Sequence, residues 1–149
     1  MKALLQRVTE AAVRVEGEVV GEIESGLLVF LGVTKNDTKD DVDKLLHKIF
    51  NYRIFPDDQQ KMNLSVQGSR GGLLIVSQFT LAAETQKGMR PGFSTAALPH
   101  EAKILYEYFI SQARLLAKEC KNVVETGVFG ADMKVSLVND GPVTFMLET

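Results

Sequence analysis

One cysteine, two histidines and four prolines among 149 residues leave several kinds of chemistry short of material. A single thiol, Cys120, closes no disulfide within the chain, and a cysteine-built zinc site needs more than one. Cys120 falls near the end of a helical stretch and reads as a small hydrophobe rather than a catalytic group. Of the histidines, His47 lies off the apolar stripe of its helix and His100 falls in a helix's first turn. Both read as solvated surface residues. HExxH, CxxC, P-loop and GxSxG patterns are all missing, and nothing marks a Ser-His-Asp triad. No apolar run reaches the roughly 18 residues of a membrane span. The opening MKALLQRVTEA meets Arg7 and Glu10 too soon for a signal-peptide core, so a cytoplasmic location is expected. Charge of one sign is lacking as well. Seventeen basic against nineteen acidic residues give a net charge of −2. Such a balance offers no broad field for nucleic acid or a membrane, so any RNA contact has to come from a local patch.

What is present is ordinary globular material, 45% hydrophobic and 24% charged. The length suits one domain over residues 1–149, able to bury about 68–70% of its unfolded surface. Alternating β-branched and aliphatic residues predict strands at Ala3–Val8, Ala11–Glu16 and Val19–Ile23, with a hairpin turn at Glu16–Gly17. Leu27–Val33 is a continuous apolar run, as in a buried strand. Val42, Leu45, Leu46, Ile49 and Phe50 then follow helical spacing, and Thr38 with Asp41 resembles a capping box. Asn51–Phe55 reads as a short strand, Asp57–Arg70 as polar turns, Leu73–Ser77 as a buried strand and Ala82–Thr95 as a long loop. A second helix is expected from Pro99 to about Glu119, with Leu105, Tyr108, Phe109, Leu115 and Leu116 as its apolar positions. Asn122–Glu125, Met133–Val138 and Val143–Leu147 read as closing strands. This order argues an α+β fold with mainly antiparallel sheets.

Three places could carry chemistry. Asp37, Asp40, Asp41 and Asp43 cluster at a helix start, where carboxylates suit the macrodipole; a metal role is the alternative. SQFTL, Ser77 to Leu81, follows a buried strand and opens a long loop, so its backbone N–H groups could face a ligand. Its plainer reading is a strand running into a turn, with Phe79 in the core. Finally, NDGPV places Gly141-Pro142 between two strand-like stretches, where a proline removes a ladder donor. It reads either as a turn that stops pairing or as a working part.

Read together, MKALLQRVTEAAVRVEGEVVGEI, MNLSV, SQFTL, KGMRPGF and TGVFGADMKVSLVNDGPVT resemble the D-aminoacyl-tRNA deacylase family, over the whole chain. One departure stands in TQKGMRPGF, where Gln86 and Met89 occupy positions that the resemblance leads one to expect as basic. The resemblance implies hydrolysis of the ester between a D-amino acid and the terminal adenosine of tRNA, with glycyl-tRNA also accepted. It implies a barrel-like β core with two main helices, a homodimer with active sites at the interface, and no metal or other cofactor. It implies aminoacyl-tRNA as partner rather than DNA or a membrane.

By the same resemblance, Ser77, Gln78, Phe79 and Thr80 form the catalytic wall, with the Phe79 and Thr80 N–H groups on the ester carbonyl. Phe129 and Met133 pack on the terminal adenine. Gly141-Pro142 is a cis peptide that filters chirality in the partner subunit's site. Thr80 lacks an activating base and reads as a supporting residue rather than a nucleophile. Lys87 and Arg90 could meet phosphates, and Arg7, at the end of the first strand, could brace the Gly-Pro loop. Two rival readings are a non-catalytic nucleic-acid-binding module on the same fold and a detached synthetase editing domain, which should lack the Gly-Pro pair.

Overall fold

The computed structural model describes all residues, 1–149. Its spine is the first strand, β1 (Lys2–Val15). A tight turn with positive φ at Glu16 and Gly17 leads into β2 (Glu18–Ile23), and β3 (Gly26–Gly32) follows. Two successive positive φ angles match the twist of a hairpin, which is why a glycine stands there. After α1 (Lys39–Asn51) come β4 (Phe55–Pro56), β5 (Met62–Leu64), a one-turn α2 (Val66–Ser69) and β6 (Gly72–Ser77). A 3₁₀ turn (Phe79–Ala82), the long α3 (Pro99–Cys120), β7 (Val124–Thr126) and β8 (Lys134–Glu148) complete the chain.

β1 is paired along both edges. On one side β8 runs antiparallel to it from Lys2↔Glu148 to Arg14↔Lys134. On the other side β3 covers its first half and β2 its second. The sheet continues from β3 to β6 to β7, and those two pairings are parallel. The fold is thus α+β as expected, but its β3–β6–β7 half is parallel. At the far side β2 comes back against β7. A Cβ on Gly21 would sit only 2.5 Å from the Thr126 carbonyl oxygen, so only glycine permits this approach and the sheet curls nearly shut.

Strand alternation divides the apolar residues between two cores. Leu27, Val29, Leu31, Leu73 and Ile75 face α1 and α3, while Val8, Ala11, Val13, Ile23, Leu28, Leu74 and Val76 fill the inside of the curl. No polar or charged residue is buried in either. The largest anchor of α3, Phe109, is 1% exposed; its truncation to alanine costs about 3–5 kcal/mol on general grounds.

The capping box at α1 is formed. The Thr38 N–H donates to Asp41 Oδ2 at 2.9 Å and the Asp41 N–H to Thr38 Oγ1 at 3.4 Å. The Thr38 hydroxyl and N–H hold the Asp41 carboxyl below its ordinary pKa. Asp37 is occupied differently: it accepts from the Thr34 N–H at 2.6 Å, the Thr34 hydroxyl at 2.9 Å and the Met1 ammonium at 2.6 Å. The acidic cluster therefore disperses into local roles.

Several expectations need correction. Ala3–Val8 and Ala11–Glu16 are one strand, bulged at Thr9, because β8 holds both halves on one edge. Asn51 ends α1 instead of opening a strand. The polar stretch 57–70 hides β5 and α2. Asn122 precedes β7; its Nδ2 donates to the carbonyls of Val66 and Gly71 instead. α3 buries Ala102, Tyr106, Phe109, Ile110, Ala113 and Ala117, whereas Leu115 is exposed. Alanines let this helix approach the sheet closely, and their small side chains contribute little to an apolar pattern.

Candidate active site

β6 ends at Ser77, and the Gln78 N–H donates to the Leu31 carbonyl at 2.8 Å, one last tie to β3. Directly after it the backbone turns into the 3₁₀ segment Phe79–Ala82. The first N–H groups of such a segment have no acceptor within it, so those of Phe79 and Thr80 are available at the strand's end. Side-chain Gln78 Nε2 donates to the Thr80 hydroxyl at 2.5 Å. No histidine, lysine or carboxylate bonds to that hydroxyl.

The opposite wall is built after β7. The Gly127 N–H donates to the Ile75 carbonyl at 3.0 Å, and a turn closed by the Ala131 N–H on the Val128 carbonyl, 3.2 Å, brings Phe129 and Met133 round. Phe129 rests against Tyr106 of α3, ring centroids 5.5 Å apart. Tyr106 in turn donates its hydroxyl to the same Ile75 carbonyl at 3.0 Å. Burial pushes the Tyr106 pKa up to about 12, against a small opposing effect of Arg114. Its hydroxyl is therefore held neutral as a donor that fixes the wall. Met133 lies over Gly127, where a Cβ would come within 2.6 Å of its sulfur.

Between these walls opens a cavity of about 440 Å³. Ser77, Gln78, Phe79, Phe129 and Met133 all line it, as do Tyr106 and Asp132. Five of the expected site residues thus meet in one place. Thr80 stands beside the cavity without lining it. Neither Tyr106 nor Asp132 was singled out in the sequence. Tyr106 carried a signal, an aromatic on a helix with a polar tip. Asp132 is mostly exposed at the rim and pairs with Lys134 at 3.0 Å.

Gly141 and Pro142 are not part of this cavity. They do not end a strand either. Val143–Leu147 continues the same strand as Met133–Val138, and residues 140–143 bulge out opposite the single residue Arg7 of β1. The turn-like Asn-Asp-Gly does not reverse the chain because β1 pairs with β8 on both sides of it. The Gly141-Pro142 peptide is cis, Gly141 has φ +140°, and both residues are exposed. Asn139 braces the bulge from inside, its Oδ1 accepting from the Val143 N–H at 2.7 Å. Arg7 braces it from β1 and lies in mid-strand, not at a strand end: Nε donates to the Asp140 carbonyl at 3.1 Å and Nη1 to the Ile54 carbonyl at 2.7 Å. Lys87 and Arg90 lie on the exposed loop beyond the 3₁₀ turn, in no ion pair.

Known proteins resemble this architecture from end to end. A D-aminoacyl-tRNA deacylase of Pseudoalteromonas translucida (strain TAC 125) is 59% identical over 147 residues, 99% of either chain. One of Haemophilus ducreyi (strain 35000HP / ATCC 700724) is 60% identical over 148 residues, again 99% of either chain. Among solved structures, a c-Myc DNA Unwinding Element Binding Protein superposes with a TM-score of 0.94 at 40% identity, covering 100% of this chain and 99% of that one. A probable eukaryotic D-amino acid tRNA deacylase shares the fold, with a TM-score of 0.83 at 17% identity over 99% of this chain and 98% of its own. The family profile described as D-Tyr-tRNA(Tyr) deacylase matches residues 4–148, and the chain belongs to that family.

Proposed function

We propose that this chain is a hydrolase that cleaves the ester of D-aminoacyl-tRNA, releasing free tRNA and the D-amino acid. The observation that carries this reading is the cavity between the Ser77–Phe79 strand end and the Phe129–Met133 turn. The terminal adenine packs against Phe129 and Met133, as unpaired bases do on apolar and aromatic surfaces. This places the ester at the strand end. The Phe79 and Thr80 N–H groups donate to the carbonyl oxygen as negative charge builds on it. Water adds to the carbonyl carbon, the ester C–O bond breaks, and the ribose oxygen leaves with a proton. The adjacent 2′-hydroxyl assists the attack. Ser77 and Gln78 shape the wall, and Thr80, tied to Gln78, supports it.

Selection against L-amino acids falls to Gly141-Pro142, placed in the site of a second copy of the chain. In its own chain the pair lies outside the cavity, exposed and held outward by Arg7 and Asn139. D and L esters share every atom, so rejection has to be steric. The bulge's carbonyl oxygens accept from the substrate amino group and occupy the path of an L side chain. Glycine has no side chain to reject, so glycyl-tRNA is accepted. The working unit is a homodimer in the cytoplasm.

Rates on matched D-aminoacyl-, L-aminoacyl- and glycyl-tRNA test the reading, with light scattering on the same sample. Cleavage of D and glycyl esters by a dimer, with L esters spared, is the expected result. Equal D and L rates would overturn the filter. Nucleic-acid binding without turnover would favour instead a non-catalytic role of the kind that the name of the 40%-identical structure suggests.

A further inference from the structure

Eight phenylalanines occur in the chain, and only two of them, Phe79 and Phe93, are exposed. They lie against each other, ring centroids 5.1 Å apart at 49°. Phe79 is 60% exposed and also lines the cavity; Phe93 is 41% exposed and lines no part of it. The pair therefore forms an aromatic step that begins at the cavity and continues outward. Phe93 is held there by a short two-stranded closure. Glu84 and Gly92 exchange N–H···O bonds of 2.8 and 3.1 Å, and the Ser94 hydroxyl donates to the Glu84 carboxylate at 3.3 Å. Beyond that closure the loop projects Lys87 and Arg90, each free of any ion pair, around a fully exposed Met89.

We propose that the Phe79–Phe93 step is a second base-binding subsite, which stacks the nucleotide preceding the terminal adenosine while Lys87 and Arg90 meet the phosphates that follow it. This rests on the adenosine reading of the cavity. An adenosine held there is attached through its 5′-phosphate to the rest of the tRNA, so the strand has to leave by the cavity mouth. Aromatic faces stack any base, and unpaired bases stack readily on such platforms. Two unpaired cations on the loop that leads to Phe93 suit a phosphate backbone better than an apolar partner. The inward tie of Glu84 to Ser94 keeps the loop's one carboxylate engaged.

The test compares binding of three probes by the full-length protein: adenosine 5′-monophosphate, the dinucleotide cytidylyl-(3′→5′)-adenosine, and its analogue with an abasic ribose in place of cytidine. Stacking of one base predicts about tenfold tighter binding of the dinucleotide than of the abasic analogue. Phe93→Leu should abolish most of that difference and leave the monophosphate affinity unchanged, while Phe93→Tyr should retain it. Extending the dinucleotide by one nucleotide at its 5′ end should tighten binding further, and Lys87→Ala or Arg90→Ala should remove that gain and its salt dependence while leaving the three shorter probes unchanged. Equal binding of dinucleotide and abasic analogue, or a difference that survives Phe93→Leu, would overturn the subsite. So would a Phe93→Leu protein whose oligomeric state changes while the base increment does not, since the pair would then be a subunit contact. Failure of all three probes to bind would overturn the adenosine reading itself, and this inference with it.

Discussion

Arg7 Nε lies 3.1 Å from the Asp140 carbonyl and 3.1 Å from Asp140 Oδ2, so one guanidinium holds both the backbone and the side chain of the residue that opens the β8 bulge. The Arg7 side chain is only 11% exposed, and its other arm reaches Ile54. Arg7→Ala should therefore lower stability by about 1.5–3 kcal/mol, the usual worth of charged hydrogen bonds. Freed of its brace, the bulge should discriminate less, and the ratio of D to L deacylation rates should fall. Arg7→Lys restores charge without the planar fork and should recover only part of either loss. Urea melts and the rate ratio check both.

Thr80 offers a hydroxyl beside the cavity, yet its one bond comes from Gln78, which cannot activate it. Thr80→Ala should keep most of the deacylase activity. Substrate ending in 2′-deoxyadenosine should be cleaved far more slowly by either protein. An acyl-enzyme trapped on Thr80 would contradict both expectations.

Gly127→Ala should act on the substrate rather than on the fold. Its new Cβ would meet the Met133 sulfur at 2.6 Å, while Val13 and Val76 would stay at an ordinary 3.7 Å. Met133 is flexible enough to swing away at a cost below about 1.5 kcal/mol, which would remove the surface proposed to hold the adenine. KM should rise severalfold with kcat little changed. In a Met133→Ala background the same substitution should have no further effect, which a double-mutant cycle on KM would show.

Tyr106 makes stability depend on alkaline pH. Its pKa is raised from 10.0 to about 12 in the folded chain, so between those values the unfolded chain gives up this proton first. Stability from this group is present below pH 10 and falls as pH rises toward 12, by up to about 2–3 kcal/mol. Tyr106→Phe should flatten that part of the profile. It should also cost about 1 kcal/mol at neutral pH, because the Ile75 carbonyl then keeps only the Gly127 N–H. Thermal melts across the range measure both effects.

The elements carrying their own local signals were legible in the sequence. The α1 stripe from Val42 to Phe50 and the Thr38–Asp41 box are there as read, because each depends on residues three or four apart. The two walls of the cavity were legible only through family resemblance. Nothing local in SQFTL or FGADM says that β6 and β7 lie side by side; that pairing joins Leu73 to Val124, with α3 between them. The bulge is not legible in the sequence for a similar reason. Asn-Asp-Gly-Pro carries every mark of a turn, and what keeps the chain straight is a partner strand at the other end of the sequence. The helical spacing points to Tyr108 rather than Tyr106, since spacing alone does not say which face of an amphipathic helix the alanines leave closest to the sheet.

β1 pairs with β8 on both sides of the bulge at residues 140–143, although more than a hundred residues of chain lie between the two strands. Until Lys134–Glu148 has been made, the edge of β1 that it covers between Lys2 and Arg14 stays open, with the N–H and C=O groups that face that edge unpaired. Such an edge is a template for pairing with other chains. A chain cut short before β8 would carry that exposure permanently. Loss of the C-terminal strand should therefore appear first as aggregation, before any question of activity arises.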